Sequence, residues 1–186
     1  GTGKDLLARV LHHHGVRQHG PFVTLDCTAI PERLQESELF GHEAGSLEGA
    51  TQAAPGCFER AHRGTLFLDE VSELDANAQT RLLRVLEKRS IQRIGGTEHI
   101  PVDVRIIAAT HRDLEALVRE GRFREDLYYR LGAYPVAVPA LRERASDIRL
   151  IAEHFVARFN ARLKKSVVGI EPDAMDRLLA YAWPGN

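Results

Sequence analysis

The chain has 186 residues, which suits one domain or one domain with a small appendage. Hydrophobic residues make up 44% and charged residues 27%, with a net charge of -1 when the nine histidines are neutral; this excludes bulk attraction for nucleic acid, so any DNA contact must be local or lie outside this segment. Two cysteines, Cys27 and Cys57, are too few for a disulfide framework and read as reduced thiols of a cytoplasmic protein, and no stretch reads as a signal peptide or as an apolar run able to span a bilayer.

Helix and strand signals alternate along the chain. Lys4 to His14 reads as a helix with Leu6, Leu7, Val10 and Leu11 on one face, and Pro21 to Cys27 as a short strand. Glu32 to Phe40 is a predicted helix running into the glycine-rich stretch Gly41 to Ala50, which is too polar for a core strand and too rich in glycine for a good helix. Thr65 to Val71 is an apolar run of the kind buried on both faces of a sheet. Asp75 to Lys88 follows as a helix with Leu82, Leu83, Val85 and Leu86 in its apolar stripe. Val102 to Thr110 reads as a strand, Asp113 to Glu120 and Arg124 to Leu131 as short helices, and Ala133 to Val138 as a last strand. Beyond Pro139 only helices are expected: Asp147 to Leu163, with Ile148, Ile151, Phe155 and Phe159 in its apolar repeat, and Glu171 to Ala182. The pattern predicts an α/β fold, a mainly parallel sheet flanked by helices over residues 1–139, followed by a partial helical lid over 140–186. The first residue is Gly1 inside a motif and the last four, Trp183 to Asn186, form a turn signal, so both ends read as interior points of a longer chain.

Gly1, Thr2, Gly3 and Lys4, followed by Asp5, have the form of the second half of a phosphate-binding loop that opens a helix. Glycines let backbone N–H groups turn inward around phosphates, and the helix start adds partial positive charge. Alone this signal is weak, because a tight turn before any helix looks the same. Asp5 stands where most such loops place a hydroxyl on Mg²⁺. Leu66-Phe67-Leu68-Asp69-Glu70 strengthens it: a buried strand ends in two carboxylates, and in P-loop ATPases the first holds Mg²⁺ and the second orients or deprotonates the attacking water. Simply ending the strand is the competing reading for that pair. Arg124 and Arg130 lie six residues apart. An arginine supplied across a subunit interface stabilises charge on a transferring phosphoryl group, and ion pairs to Glu120, Glu125 or Asp126 are the competing reading. His12-His13-His14 is a solvated helix end rather than a metal site, since consecutive helical residues point in different directions. Arg142, Glu143 and Arg144 read as a solvated charge run.

Together, the segments Gly1 to Asp5, Glu36 to Gly45 (ESELFGHEAG), Gly64 to Val71 (GTLFLDEV), Val104 to Thr110 (VRIIAAT), Phe123 to Leu131 (FREDLYYRL), Leu141 to Ile148 (LRERASDI) and the closing WPGN resemble the AAA+ domain of bacterial sigma-54-dependent transcriptional activators. SELFGHE and FREDLYYRL carry the resemblance most specifically; they are not motifs of chelatases or helicase loaders. It implies an ATPase that self-associates into a ring, commonly a hexamer, with ATP and Mg²⁺ between neighbouring subunits and the sigma-54 RNA polymerase holoenzyme as partner. It implies DNA binding through a domain outside this segment and no membrane contact. By the same resemblance Lys4 binds phosphate, Asp69 holds Mg²⁺ with Asp5 nearby, Glu70 polarises water, Thr110 and His111 occupy the sensor I position, Arg124 and Arg130 are the fingers, and the linker carrying Arg142 to Arg144 lies near nucleotide. A further sensor arginine is expected shortly after WPGN, so residues 1–186 alone are expected to bind ATP weakly.

Three positions depart from the family pattern. The sigma-contact loop, usually Gly-Ala-Phe-Thr-Gly-Ala, here reads Gly45-Ser46-Leu47-Glu48-Gly49-Ala50: the glycine hinges remain, an aromatic tip becomes Leu47 and a hydroxyl becomes Glu48. The family's switch asparagine, which donates a hydrogen bond to the catalytic glutamate, is Asp26, expected to repel Glu70 or to force one of the two to keep a proton. Asparagine is also usual where His111 stands. These substitutions support a second reading, a nucleotide-gated oligomerisation module that no longer contacts sigma-54.

Overall fold

A computed structural model describes the whole chain, Gly1–Asn186. The chain divides into two compact units, Asp5–Pro135 and Gly1–Lys4 with Val136–Asn186.

The larger unit is built on a three-stranded parallel sheet in the order β1 (Phe22–Asp26), β2 (Thr65–Asp69), β5 (Arg105–Ala108). β2 is central, and Leu66, Phe67 and Leu68 are all but inaccessible to water, as its unbroken apolar run requires. Parallel neighbours need crossover connections. The first is made by α2 (Glu32–Phe40) and the short α3 (Cys57–Arg60). The second is made by α4 (Ala76–Lys88) and a small antiparallel ladder of β3 (Ser90–Ile91) with β4 (Ile100–Pro101). Helices α1 (Lys4–His13), α5 (Leu114–Arg119) and α6 (Glu125–Leu131) complete the flanks. The core joins Leu39, Phe40, Phe58, Leu66, Leu82 and Leu127, with the Phe40 and Phe58 rings stacked at 5.7 Å.

Local sequence explains the helix starts. Asp75 caps α4 by accepting from Asn77 N and Ala78 N, and Asp113 caps α5 by accepting from Ala116 N. Two buried amides tie the loops to this frame. Gln35 donates to Glu73 O and accepts from Asp75 N. Gln79 donates to Leu74 O and Arg122 O and accepts from Arg124 N.

In the smaller unit α7 (Ala145–Leu163) packs with α8 (Pro172–Ala180), which starts on a proline. Of the apolar repeat on α7 only Ile148 is fully buried; Phe155 and Phe159 remain more than 40% exposed.

The expected strand Ala133–Val138 does not form. The segment has no ladder partner on either edge of the sheet, and Tyr134 and Val136 are exposed. A strand needs a neighbour for its backbone groups, so apolar alternation alone does not make one. The strand expected over Val102–Thr110 is shorter, because Ile100–Pro101 turns away to pair with β3.

His12 is buried, its Nδ1 3.0 Å from Thr65 Oγ1 and its ring 5.1 Å from that of Phe22. Burial, then the nearby His13 and Arg105 charges, lower its pKa below 6.5. The unfolded chain therefore binds this proton more readily, so the stability is fully present above pH 6.5 and is lost as pH falls below it. In denaturant titrations from pH 8 to 5, His12→Gln should flatten the loss of stability below pH 6.5 relative to the unsubstituted protein. Gln79→Ala strips partners from Leu74 O, Arg122 O and Arg124 N, and a loss of about 1–3 kcal/mol in equilibrium unfolding is expected.

Candidate active site

In-register pairing of β1 with β2 sets Asp26 beside Asp69, and pairing of β2 with β5 matches Leu68 to Ala108. The main chain continues this pairing, with Ala109 N donating to Leu68 O and Val71 N to Ala109 O. The carboxyl ends of three adjacent parallel strands therefore gather Asp26, Asp69, Glu70, Thr110 and His111, where ligands bind in open α/β sheets.

Glu70 leaves β2 in the left-handed region (φ 53°, ψ 52°), a conformation that costs a non-glycine residue about 1–2 kcal/mol. The turn aims its carboxylate at the end of β5. Glu70 Oε2 accepts from His111 Nδ1 at 2.7 Å, His111 N at 3.1 Å and Thr110 Oγ1 at 3.3 Å. Ser72 Oγ lies 2.9 Å from Thr110 Oγ1 and supports that hydroxyl. Asp69 Oδ1 accepts from Glu70 N at 3.1 Å.

Asp26 does not engage Glu70 in the way expected of it. Its Oδ1 accepts from Thr28 N at 2.9 Å and Thr28 Oγ1 at 2.6 Å, capping the single helical turn Cys27–Ala29. Thr28 supplies donors two residues away, and a carboxylate that can only accept takes them. Asp26 and Glu70 each accept from neighbours of their own, Asp26 from Thr28 and Glu70 from Thr110 and His111. Burial, with the Asp26 and Asp69 charges adding to it, pushes the Cys27 thiol up to about 12, which removes it as a nucleophile here.

In the smaller unit, Gly3 takes φ +94°, the turn that lets amides curl inward. Arg144 Nη2 donates to Thr2 O at 2.6 Å, and its buried Nε has no acceptor. This residue, read from the sequence as part of a solvated charge run in a linker that the resemblance puts near nucleotide, holds the glycine turn. Lys4 opens α1, and in the larger unit Asp5 is paired with Arg9 at 3.0 Å, both half exposed.

The two expected finger arginines sit on and before α6. Arg124 forms a two-point pair with Asp126 (3.0 and 2.7 Å) and reaches Thr80 Oγ1 at 3.4 Å, while Arg130 donates to Leu86 O at 3.1 Å. The Arg124 guanidinium holds the Asp126 carboxyl below its ordinary range. Gln79, which the sequence did not mark, fixes the Arg124 backbone.

The Gly45–Ala50 loop closes on itself: Gly45 N donates to Ala50 O at 2.7 Å, Ala50 N to Leu47 O at 3.0 Å, and Ser46 Oγ to Glu43 O at 2.7 Å. Gly45 and Gly49 have φ of +75° and +83°, so glycine is required there by conformation and not by space. Leu47 is half-buried and lines a groove with Ile94, Glu32 and Arg33, while Glu48 is exposed. The base of the loop is joined to the β3–β4 hairpin by Glu43 N to Ile94 O and Ile94 N to Gly41 O, both 2.9 Å. Arg93 adds a two-point pair to Glu59 and a contact to Glu43 at 3.3 Å.

Residues 1–137 match the Sigma-54 interaction domain family, and residues 142–186 the AAA+ ATPase lid domain. The chain is 51% identical over all 186 residues to the regulatory protein AtoC of Escherichia coli K12 and 53% identical to the transcriptional regulator NtrC of Azospirillum brasilense, covering 40% and 38% of them. It spans about two fifths of the length of such relatives. A crystal structure of NtrX from Brucella abortus in complex with ADP superposes on the whole chain, over 40% of its own length, with a TM-score of 0.92 and 42% identity; another of NtrX is in complex with ATP. No helix is long and apolar enough to cross a membrane. With the FREDLYYRL and SELFGHE segments, the acidic end of β2 and the helical lid all accounted for, the chain belongs to the Sigma-54 interaction domain family, as an AAA+ ATPase domain of the kind found in sigma-54-dependent transcriptional activators.

Proposed function

We propose that this domain, within its full-length protein, binds ATP with Mg²⁺ and hydrolyses it, and that hydrolysis by a ring of copies remodels the sigma-54 RNA polymerase holoenzyme for promoter opening. One observation carries the reading: an acidic pair stands at the end of the central parallel strand, with the hydroxyl and ring nitrogen of the next strand end directed at its second member. That NtrX structures exist with ADP and with ATP supports the choice of nucleotide.

Residues divide the work as follows. Gly1, Thr2 and Gly3 present backbone N–H groups to the phosphates, and the Lys4 ammonium neutralises the β- and γ-oxygens. Arg144 holds the carbonyl side of that turn outward through Thr2 O, so the amide side is pre-set. Asp69 offers Mg²⁺ a single carboxylate at a strand end, which fits an ion that keeps waters and takes one or two carboxylates plus phosphate oxygens. Asp5 can join it only by giving up Arg9, a small loss for an exposed pair. When bound, the ion offsets charge on the transferring phosphoryl group. Glu70 orients the attacking water and draws off its proton. Thr110 and His111 report on the γ-phosphate from the end of β5. Arg124 and Arg130 reach the nucleotide of the adjoining copy, which requires Arg124 to exchange Asp126 for phosphate. DNA is engaged by a domain outside this segment.

The full-length protein carrying Glu70→Gln should lose about 10²–10⁴-fold in ATP turnover while still binding a non-hydrolysable analogue. Equal turnover rates would remove the assignment.

A second reading is favoured by the loop itself: Leu47 is turned into its groove and a carboxylate, Glu48, is what solvent meets. On that reading the domain gates oligomerisation with nucleotide and leaves sigma-54 alone. In a transcription assay with sigma-54 holoenzyme, joint Leu47→Phe and Glu48→Thr would then create open-complex formation that the unsubstituted full-length protein lacks. Strong activation by the unsubstituted protein eliminates the second reading.

A further inference from the structure

We infer that His111 is the residue that holds Glu70 at rest, taking over the task that the resemblance gives to the side chain at position 26. The inference rests on Glu70 being the water-orienting group proposed above.

Position 26 cannot perform that task here. Asp26 has no hydrogen to give when ionised, and its Oδ1 already takes two donors from Thr28. The neighbouring strand end supplies what is missing. His111 presents two donors to one oxygen, Glu70 Oε2: the ring Nδ1 at 2.7 Å and the backbone N at 3.1 Å. Because an ionised carboxylate only accepts, Nδ1 carries the hydrogen of that contact in either the neutral Nδ1–H tautomer or the imidazolium. The distance falls in the range of charge-assisted hydrogen bonds.

The same grip bears on reactivity. With Thr110 Oγ1 also donating, three hydrogen bonds converge on Oε2, more than its two lone pairs serve well. Donors already engaged on Oε2 must be released before that oxygen can take a hydrogen from the attacking water. Exposure tells which partner yields: the His111 side chain is 66% exposed and that of Glu70 17%, so the ring can swing to a phosphate oxygen or to a neighbouring copy while Glu70 stays in the site. Two carbons separate Nδ1 from Cα in histidine, and the side-chain nitrogen of asparagine sits at the same remove. An asparagine at 111 therefore keeps a donor at the same reach, whereas alanine removes it.

The test is steady-state ATP turnover of the full-length protein without sigma-54 or polymerase, over a range of ATP concentrations, with binding of a non-hydrolysable analogue as the check on folding. His111→Ala should raise basal kcat about three- to ten-fold, since one donor to a charged group is lost, with the change in kcat larger than that in KM. His111→Asn, which keeps a donor at that reach, should be accelerated clearly less than His111→Ala. Either an unaccelerated His111→Ala, or a His111→Asn as accelerated as the alanine variant, overturns the inference. Glu70→Gln run alongside separates the two levels: if it abolishes turnover and His111→Ala is not accelerated, only the holding role fails, and if it turns over normally, the role of Glu70 fails with it.

Discussion

The arrangement of this domain depends on the register of β2 between two parallel neighbours. Its apolar residues are buried on both faces, so the strand has no polar side to turn outward. A slip of one residue would reverse which side chains meet which face, and the buried packing forbids it. The same pairing that keeps water from Leu66 and Leu68 sets Asp26 beside Asp69 and brings Thr110 and His111 alongside Glu70. Core packing and site geometry are here one constraint, enforced by one strand.

At the sheet end, charge is managed by giving each acidic group its own donors. Asp26 is served by Thr28, Asp69 by the Glu70 amide, and Glu70 by the end of β5. Local hydrogen bonds therefore settle what a count of charges leaves ambiguous. The cost is borne by the backbone, which holds Glu70 at positive φ.

Much of this was legible in the sequence, for physical reasons. The helices α1 and α4 announce themselves through apolar residues at helical spacing and the strand β2 through an unbroken apolar run, and Asp75 and Asp113 mark starts because their carboxylates accept from the following amides. The acidic strand end and the glycine turn were visible as residue types at a known distance from a buried run. What could not be read depends on contacts distant in the chain. Ala133–Val138 alternates like a strand but finds no ladder. Ser90–Ile91 and Ile100–Pro101 are too short to signal a hairpin, yet they pair. Gln35, Gln79 and Arg144 look like surface polar residues until the backbone groups they meet are known. The partner of Asp26 was two residues away, yet a carboxylate has several possible donors and spacing does not choose among them.

Arg93 lies on the hairpin and grips Glu59, on α3 beyond the glycine-rich segment, and Glu43, at that segment's beginning. Glu59, hydrogen-bonded to it, raises the affinity of the guanidinium for its proton, so this connection keeps its charge at any physiological pH. The start of the stretch that carries Leu47 and Glu48, and the helix that follows it, are thereby anchored to the same arm. Loop base and hairpin are thereby tied into one connected projection, and Gly45 and Gly49, both at positive φ, bracket the tip that it carries.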